Sequence, residues 1–246
     1  MAALVHLVIP ARNEAARLGA CLDDLLPALA AAIPRHRVQV IDDASSPDQR
    51  EGMARIVAGR AARWPALAPM HSLARHAGKG GAIRAGWYLA REAEWLGFVD
   101  ADGAMPGEEV ARLAAMALAA TRETPAGDRP SAHVACRPVE SRATSRRLAW
   151  RVLHAWVRLV LGLRTRDPQA PCKFIPAAAR AALCDAWREG GWAFDIELLT
   201  SLVDAGWSLR EVAVRWKDQS GGQVRLWRDG PAVAWAVVRI AARRRK

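Results

Sequence analysis

Short strand-like runs alternate with helical patterns through the first hundred residues, and this alternation constrains the fold more than any other feature. The runs at residues 4–9, 38–41 and 96–99 are apolar, and helical patterns begin near Glu14 and Gln49. Strands that alternate with helices in this way pack as a parallel sheet covered by helices. We therefore predict an α/β fold with a mostly parallel central sheet and helices on both faces.

Polar and mostly acidic residues follow each of these runs. In open α/β sheets, ligands bind in the crevice at the carboxyl ends of the strands. An Asp or Asn at such a position also commonly caps the next helix, so any single cluster has a purely structural explanation. Three clusters in successive units favour one shared crevice. They are Arg12-Asn13-Glu14, Asp42-Asp43 and Asp100-Ala101-Asp102.

Asp100 and Asp102 are the candidate metal ligands. They stand two residues apart after an apolar run, which places both carboxylates on the same side of an extended chain. Carboxylate oxygens suit Mg²⁺ or Mn²⁺, and such an ion can offset the charge of a departing diphosphate. A DxD sequence is short enough to arise by chance, so other segments must support this prediction.

A glycine-rich segment at residues 76–81, His-Ala-Gly-Lys-Gly-Gly, precedes a helical pattern at residues 82–94. A flexible backbone, a helix N-terminus and the Lys79 ammonium coincide there, which predicts a phosphate-binding turn. A solvated glycine turn has the same composition, so that alternative stays open. The segment matches neither GxxxxGK[ST] nor GxGxxG, so no P-loop or Rossmann fingerprint is predicted.

The net charge of +11 is confined to the second part of the chain. Residues 1–136 hold 15 basic and 15 acidic side chains, whereas residues 137–246 hold 21 basic and 10 acidic side chains. A basic half indicates an anionic partner, which is phosphate, anionic lipid or nucleic acid. Nucleic acid is disfavoured, because the chain has one Tyr and three Phe, and the acidic strand ends would repel a phosphate backbone.

Two basic amphipathic helices are predicted, at residues 145–161 and 227–246. In the first, Arg147, Arg151, His154 and Arg158 recur among apolar residues, a pattern typical of a helix lying at a membrane surface. A helix packed on the core with a solvated basic stripe is the alternative.

Neither a signal peptide nor a membrane span is predicted, and four cysteines without a CxxC pair suit a reducing compartment. We expect a cytoplasmic protein that associates peripherally with the inner face of a membrane.

The rest of the second half predicts further elements. Strands are expected at residues 133–136 and 209–216, and helices are expected to begin near Ala177 and Asp195. A Pro-rich loop is predicted between residues 161 and 177.

Seven segments together resemble family 2 glycosyltransferases with the GT-A fold, the nucleotide-diphospho-sugar transferase fold. Those in the first half are VIPARNEAARL (8–18), VIDDASSP (40–47), HAGKGGAIRAG (76–86) and FVDADGAMP (98–106). RDPQAPCKF (166–174), WAFDIELL (192–199) and EVAVRWKDQSGGQV (211–224) are similar to the dolichyl-phosphate glucosyltransferase and mannosyltransferase group. The resemblance implies inverting transfer of a hexose, with glucose from UDP-glucose preferred, to a polyprenyl or dolichyl phosphate.

The resemblance also implies domains and residue roles. Residues 1–225 would form the transferase domain, with a nucleotide-sugar half at 1–136 and an acceptor half at 137–225, and residues 226–246 would form a C-terminal helix. The donor site would comprise Pro10, Ala11, Arg12, Glu14, Asp42, Asp43, Lys79, Asp100, Ala101 and Asp102. The acceptor phosphate would be bound by Arg137 and by Arg146 or Arg147. Arg12 stands where relatives have tyrosine, and Ala104 stands where mannosyl members often have glutamine.

The acceptor decides the role of Asp195. A polyprenyl phosphate oxygen is already an anion, so its attack needs positioning and no general base. A hydroxyl acceptor needs a carboxylate to take its proton, and Asp195 is then the candidate base, although its position also suits a helix N-cap. The main alternative function is therefore a family 2 transferase acting on a saccharide or another hydroxyl compound. A nucleotidyltransferase and a non-catalytic relative are further alternatives.

Overall fold

The computed structural model describes residues 3–125, 127–138, 144–217 and 226–244. Within these ranges seven strands form one sheet, in the order β3-β2-β1-β4-β6-β5-β7. Strand β6 runs antiparallel to β4 and β5, and the other neighbouring pairs are parallel, which confirms the mostly parallel sheet. The strands are β1 (Val5–Ala11), β2 (His36–Asp42), β3 (His71–Ser72), β4 (Trp95–Val99), β5 (Ala132–Cys136), β6 (Cys172–Pro176) and β7 (Leu209–Ala213).

The helices cover the sheet in two groups. The first comprises α1 (Ala15–Ala32), α2 (Pro47–Ala61) and α4 (Gly107–Glu123), where α1 contacts both of the others. The second comprises α3 (Gly78–Leu89), α5 (Thr144–Leu161), α6 (Ala177–Leu183), α7 (Phe194–Asp204) and α8 (Leu226–Arg244). In that group α7 contacts α3, α6 and α8, and α5 packs on α8.

Burial explains why the central elements form. All five residues of β4 are buried, as expected for a strand covered on both faces, where apolar residues run without alternation. In α1 the buried residues recur at helical spacing, so one apolar stripe packs on the sheet. They are Leu18, Cys21, Leu22, Leu25, Leu26 and Leu29.

Strand β6 corrects the prediction of a loop between residues 161 and 177. Pro171 precedes this strand, Pro176 ends it, and Lys173 is the second of its five residues. The segment therefore has neither the alternation nor the continuous apolar character of a strand. Lys173 is fully buried and is paired with Asp195, a partner distant in sequence. The ion pair with Asp195 allows a lysine to lie in a central strand. The residues next to Lys173 in the sequence do not indicate that ion pair.

Two predicted boundaries also change. Helix α3 begins at Gly78 and ends at Leu89, whereas the pattern predicted residues 82–94. Because glycine has a low helix propensity, the glycine-rich segment was predicted to precede the helix. In the structure it forms the first turn of α3. Strand β7 ends at Ala213 and does not reach Trp216.

None of the helices in the described part of the chain combines the length and the apolar character that a membrane crossing requires.

His6 gives the fold a dependence on pH. Its side chain is 2% exposed in β1, and burial, with a smaller contribution from the charge of Arg37, lowers its pKa from 6.5 to about 4. The folded protein holds this imidazole neutral, whereas the unfolded chain binds a proton below pH 6.5. Stability is therefore expected to fall as the pH decreases from 6.5 towards 4, by about 2–3 kcal/mol between pH 7 and pH 4.5.

Urea denaturation at the two pH values, on the wild type and on His6→Leu, measures this loss. The variant is expected to lose less stability on acidification than the wild type does. Equal losses in the two proteins would show that another group is responsible.

Candidate active site

The turns after β1 and β2 are locked to each other at the carboxyl edge of the sheet. Asn13 and Ala44 adopt left-handed backbone conformations, with φ of 55° and 53°. The Asn13 amide donates to Ser45 Oγ at 2.8 Å, and the Ser46 amide donates to Asn13 Oδ1 at 3.0 Å. Residues other than glycine rarely adopt this conformation, and such positions concentrate at functional sites. The edge is therefore a rigid and strained platform.

The structure brings the predicted nucleoside-pocket residues to this platform. Pro10 and Ala11 end β1, and Arg12 is exposed directly after it. Glu14 is 7% exposed and pairs with Arg17 at 2.5 Å. These side chains line the edge through their position in the turn that follows β1.

Asp42 and Asp43 are both buried, and each has partners within the protein. Asp42 accepts hydrogen bonds from the Ser45 amide at 3.0 Å and from Arg50 Nε at 3.1 Å. Asp43 accepts the Ala77 amide at 2.6 Å, and its second oxygen lies 2.7 Å from His76 Nδ1. Asp43 thus ties the end of β2 to the glycine-rich turn that begins α3.

The acidic pair follows β4, as predicted. The Asp100 side chain is 26% exposed, and its backbone amide donates to the Pro171 carbonyl at 3.1 Å. Asp102 Oδ1 accepts the Ala104 amide at 3.0 Å. A Cβ atom at the next residue, Gly103, would lie 3.7 Å from Cys21 Cα, so Asp102 stands beside α1. Between the two, Ala101 is buried.

Lys79 reaches from the start of α3 to Asp100 and Asp195. Its Nζ lies 2.8 Å from Asp100 Oδ1 and 3.2 Å from Asp195 Oδ2. The Phe98 and Trp192 rings lie 5.1 and 5.6 Å from the same nitrogen. Burial disfavours the charge, but the attraction of the two carboxylates outweighs it and raises the pKa of Lys79. The glycine-rich turn therefore presents a permanent cation to the crevice.

Lys173 and Asp195 form the buried centre of the site. Lys173 is fully buried, and its Nζ donates to Asp195 Oδ1 at 2.5 Å and to the Ala170 carbonyl at 2.8 Å. Burial lowers the pKa of Lys173, and the nearby Asp195 opposes that shift. Sequence reasoning noted Lys173 only as part of a motif and assigned it no role. A lysine within an otherwise apolar run was the available signal.

Arg137 follows β5 and is held by Asp167. The guanidinium donates to both Asp167 oxygens, at 2.6 and 2.9 Å, and to the Gln169 carbonyl at 2.8 Å. Burial disfavours its charge, but Asp167 outweighs burial and raises the pKa of Arg137. Asp100 and Asp195 also act on it electrostatically. Arg137 bonds the Gln169 carbonyl and Lys173 bonds the carbonyl of the next residue, Ala170, so Arg137 lies beside the Lys173–Asp195 pair.

The second predicted phosphate-binding arginine is Arg146 or Arg147, and both lie in the first turns of α5. Their side chains fall outside the described part of the structure, so their positions relative to Arg137 stay predictions.

The acidic pair suits an ion that is shared with a substrate. Among the residues described, no group of three or more His, Cys, Asp or Glu side chains could hold a metal ion. Mg²⁺ commonly takes only one or two protein carboxylates and completes its coordination with substrate phosphates and water. Asp100 and Asp102 would supply the carboxylates of such a site, and their role as metal ligands stays a prediction.

The arrangement of a mostly parallel sheet, an acidic pair after β4 and a lysine at the start of α3 places the chain among GT-A glycosyltransferases. Mannosyl-3-phosphoglycerate synthase from Rubrobacter xylanophilus superposes with a TM-score of 0.68 at 21% identity, over 98% of this chain and 74% of that one. Glucosyl-3-phosphoglycerate synthase from Mycobacterium tuberculosis was solved with Mn²⁺, UDP and glucosyl-3-phosphoglycerate. It superposes with a TM-score of 0.63 at 18% identity, over 98% of this chain and 80% of that one. At these identities, the likeness shows a shared fold.

The chain belongs to glycosyl transferase family 2, whose profile matches residues 6–151. It is therefore a glycosyltransferase, and the predicted family and fold are confirmed. It is 29% identical over 227 residues to the dolichyl-phosphate beta-glucosyltransferase of Drosophila melanogaster, covering 89% of this chain and 69% of that protein. The enzyme of the same name from Saccharomyces cerevisiae is 25% identical over 247 residues, which cover 96% of this chain and 73% of that protein.

Proposed function

We propose that this enzyme transfers glucose from UDP-glucose to a polyprenyl phosphate, with inversion at the anomeric carbon and with Mg²⁺ or Mn²⁺ as cofactor. The names of the similar proteins support the sugar and the acceptor. The structural neighbour that was solved with UDP and Mn²⁺ supports the nucleotide and the ion.

The contacts of Asp195 are the observation that favours a phosphate acceptor over a hydroxyl acceptor. This carboxylate is 1% exposed, its Oδ1 lies 2.5 Å from Lys173 Nζ, and its Oδ2 lies 3.2 Å from Lys79 Nζ. A general base must come within hydrogen-bond distance of the proton that it removes. Each Asp195 oxygen is already engaged by an ammonium, and the side chain has almost no contact with solvent. This arrangement favours an acceptor that brings no proton, and a phosphate monoester anion is such an acceptor.

The proposed reaction is a single displacement. An oxygen of the acceptor phosphate forms a bond to the anomeric carbon, the bond from that carbon to the donor diphosphate breaks, and the nucleoside diphosphate leaves with the electron pair. Lys79 offsets negative charge on the diphosphate, and Arg137, fixed by Asp167, binds the acceptor phosphate. A divalent ion held by Asp100 and Asp102 would neutralise further charge on the leaving group.

Exposed apolar residues on α5 and α8 support peripheral docking on the inner face of a membrane, where a polyprenyl phosphate is anchored. Val152 and Leu159 on α5 are 63% and 79% exposed, and Trp235 on α8 is 62% exposed. Trp156 joins the two helices, because its Nε1 donates to the Ala234 carbonyl at 3.1 Å. Exposed Trp and Leu beside arginines are typical of helices that lie in a membrane interface.

Incubation of the purified protein with labelled nucleotide sugars, Mg²⁺ or Mn²⁺ and dolichyl or undecaprenyl phosphate tests the proposal. We expect label from UDP-glucose in the organic phase, and we expect EDTA to abolish it because the diphosphate then lacks its counter-ion. The matched acceptor control is the corresponding polyprenol without phosphate, which is expected to accept no sugar. Transfer to the polyprenol, or only to soluble saccharides, would contradict the phosphate acceptor and favour the hydroxyl alternative.

A further inference from the structure

A segment between α6 and α7 covers the start of α3. The Gly81 amide donates to the Gly190 carbonyl at 3.1 Å, and a Cβ atom at Gly78 would overlap the same carbonyl oxygen. The two backbones are therefore in direct contact, and neither can shift without the other. We call residues 187–193 the covering segment. Its position decides where the first turn of α3 lies, and with it Lys79.

Glu197 on α7 holds the covering segment through its backbone. Glu197 Oε2 accepts the amides of Arg188 and Glu189 at 2.9 and 2.8 Å. The side chains of Glu189 and Glu197 are only 9% and 5% exposed. A buried carboxylate is costly to the fold unless hydrogen bonds and cationic partners offset its charge.

Helix α8 supplies those cations. Arg239 Nη2 lies 2.6 Å from Glu189 Oε2, and Arg243 Nη2 lies 2.9 Å from Glu189 Oε1 and 2.7 Å from Glu197 Oε1. Burial disfavours the Glu189 carboxylate, but the two arginines outweigh burial and lower its pKa. The helix itself is anchored by core residues, so the arginines project from a fixed element. These core residues are Val233, Ala236, Val237 and Ile240.

The direction of these arginines bears on the predicted membrane contact of α8. The basic amphipathic helix predicted at residues 227–246 ends in a basic cluster at residues 243–246. Arg243 pairs with Glu189 and Glu197, and Arg244 pairs with Asp204 at 2.5 Å. Both of these described arginines of the cluster are therefore engaged within the protein.

We propose that Arg239 and Arg243 are positioning residues for glycosyl transfer. By holding Glu189 and Glu197 they keep the covering segment on α3, and so they keep Lys79 at the acidic cluster. The inference rests on the proposed function only where Lys79 is assigned to the donor diphosphate. The mechanical link from α8 to Lys79 depends on the contacts alone.

Lysine acylation, followed by mass spectrometry, tests the link without any substrate. In the wild type, Lys79 is expected to react slowly because its side chain is 8% exposed and ion-paired, whereas the exposed Lys217 reacts quickly and calibrates the reagent. In the double variant Arg239→Gln/Arg243→Gln, we expect Lys79 to react at least about tenfold faster because the covering segment opens locally. The fully buried Lys173 should stay protected, which distinguishes local opening from unfolding.

Arg244→Gln is the matched control. It removes an ion pair from the same helix, but its partner Asp204 lies at the end of α7, away from the covering segment. Lys79 is expected to stay protected in this variant. The proposal is overturned if Lys79 stays as protected in the double variant as in the wild type, or if Arg244→Gln exposes it equally.

Transfer kinetics supply the second readout. The double variant is expected to lose about 10–100-fold in kcat through misplacement of Lys79, and Arg239→Lys/Arg243→Lys should restore part of the loss. A kcat within twofold of the wild type would contradict the positioning role. If the wild type transfers no sugar from any donor, the proposed function fails, and lysine acylation still decides whether α8 holds Lys79.

Discussion

Asp102→Asn is expected to reduce glycosyl transfer by about a thousandfold while the protein stays folded. Asp102 Oδ1 accepts a hydrogen bond from the Ala104 amide at 3.0 Å. The asparagine oxygen can accept the same hydrogen bond, so the turn after β4 is kept. What the variant lacks is the negative charge that, with Asp100, would hold a divalent ion against the donor diphosphate. Initial rates at saturating donor and acceptor measure the loss.

Binding of Mn²⁺ in the presence of the nucleoside diphosphate, measured by calorimetry, separates the causes of that loss. We expect Asp102→Asn to weaken metal binding, and we expect the exposed carboxylate variant Asp128→Asn to bind and react as the wild type does. A fully active Asp102→Asn enzyme would refute the metal role of the acidic pair.

Asp195→Ala is expected to destabilise the protein by about 3–5 kcal/mol, because it leaves Lys173 buried without a counter-charge. Lys173 is fully buried and lies 2.5 Å from Asp195. The single variant Lys173→Met should cost a similar amount, since it leaves the carboxylate with one ammonium in place of two. Urea denaturation of both variants measures the free energy of unfolding.

The double variant Asp195→Ala/Lys173→Met removes both charges and is expected to cost clearly less than the sum of the two single changes. Its activity also addresses the acceptor. With a phosphate acceptor, transfer should stay within about tenfold of the wild type, because no proton must be removed from the acceptor. Removal of Asp195 also takes away one partner of Lys79, which lies 3.2 Å from its Oδ2. A folded double variant in which Lys79 stays protected from acylation but transfer falls more than about a thousandfold would instead identify Asp195 as a general base.

The Asp195 environment changes how a simpler experiment must be interpreted. Loss of activity in Asp195→Asn alone would signal a general base if the residue were accessible. Because the carboxylate neutralises two lysines, the same loss can follow from a destabilised centre. The double variant is therefore the informative comparison.

Elements whose signals are local could be predicted from neighbouring residues. The apolar runs that became β1, β2 and β4, and the acidic residues after them, were predictable because a strand and the turn that follows it are encoded within a dozen neighbouring residues. The parallel sheet and the common edge of Asp43 and Asp100 followed from that alternation. Lys79 was found for the same reason, since it stands beside glycines at the start of a helix.

Which charges meet depends on the fold and could not be predicted from local patterns. Lys173 lies 22 positions from Asp195, Arg137 lies 30 from Asp167, and Arg239 lies 50 from Glu189. Periodicity predicts which face of an element is apolar, but it does not predict which distant carboxylate will neutralise a given cation. That choice depends on packing, because burial makes an unpaired charge costly and only a partner brought close by the fold can offset it.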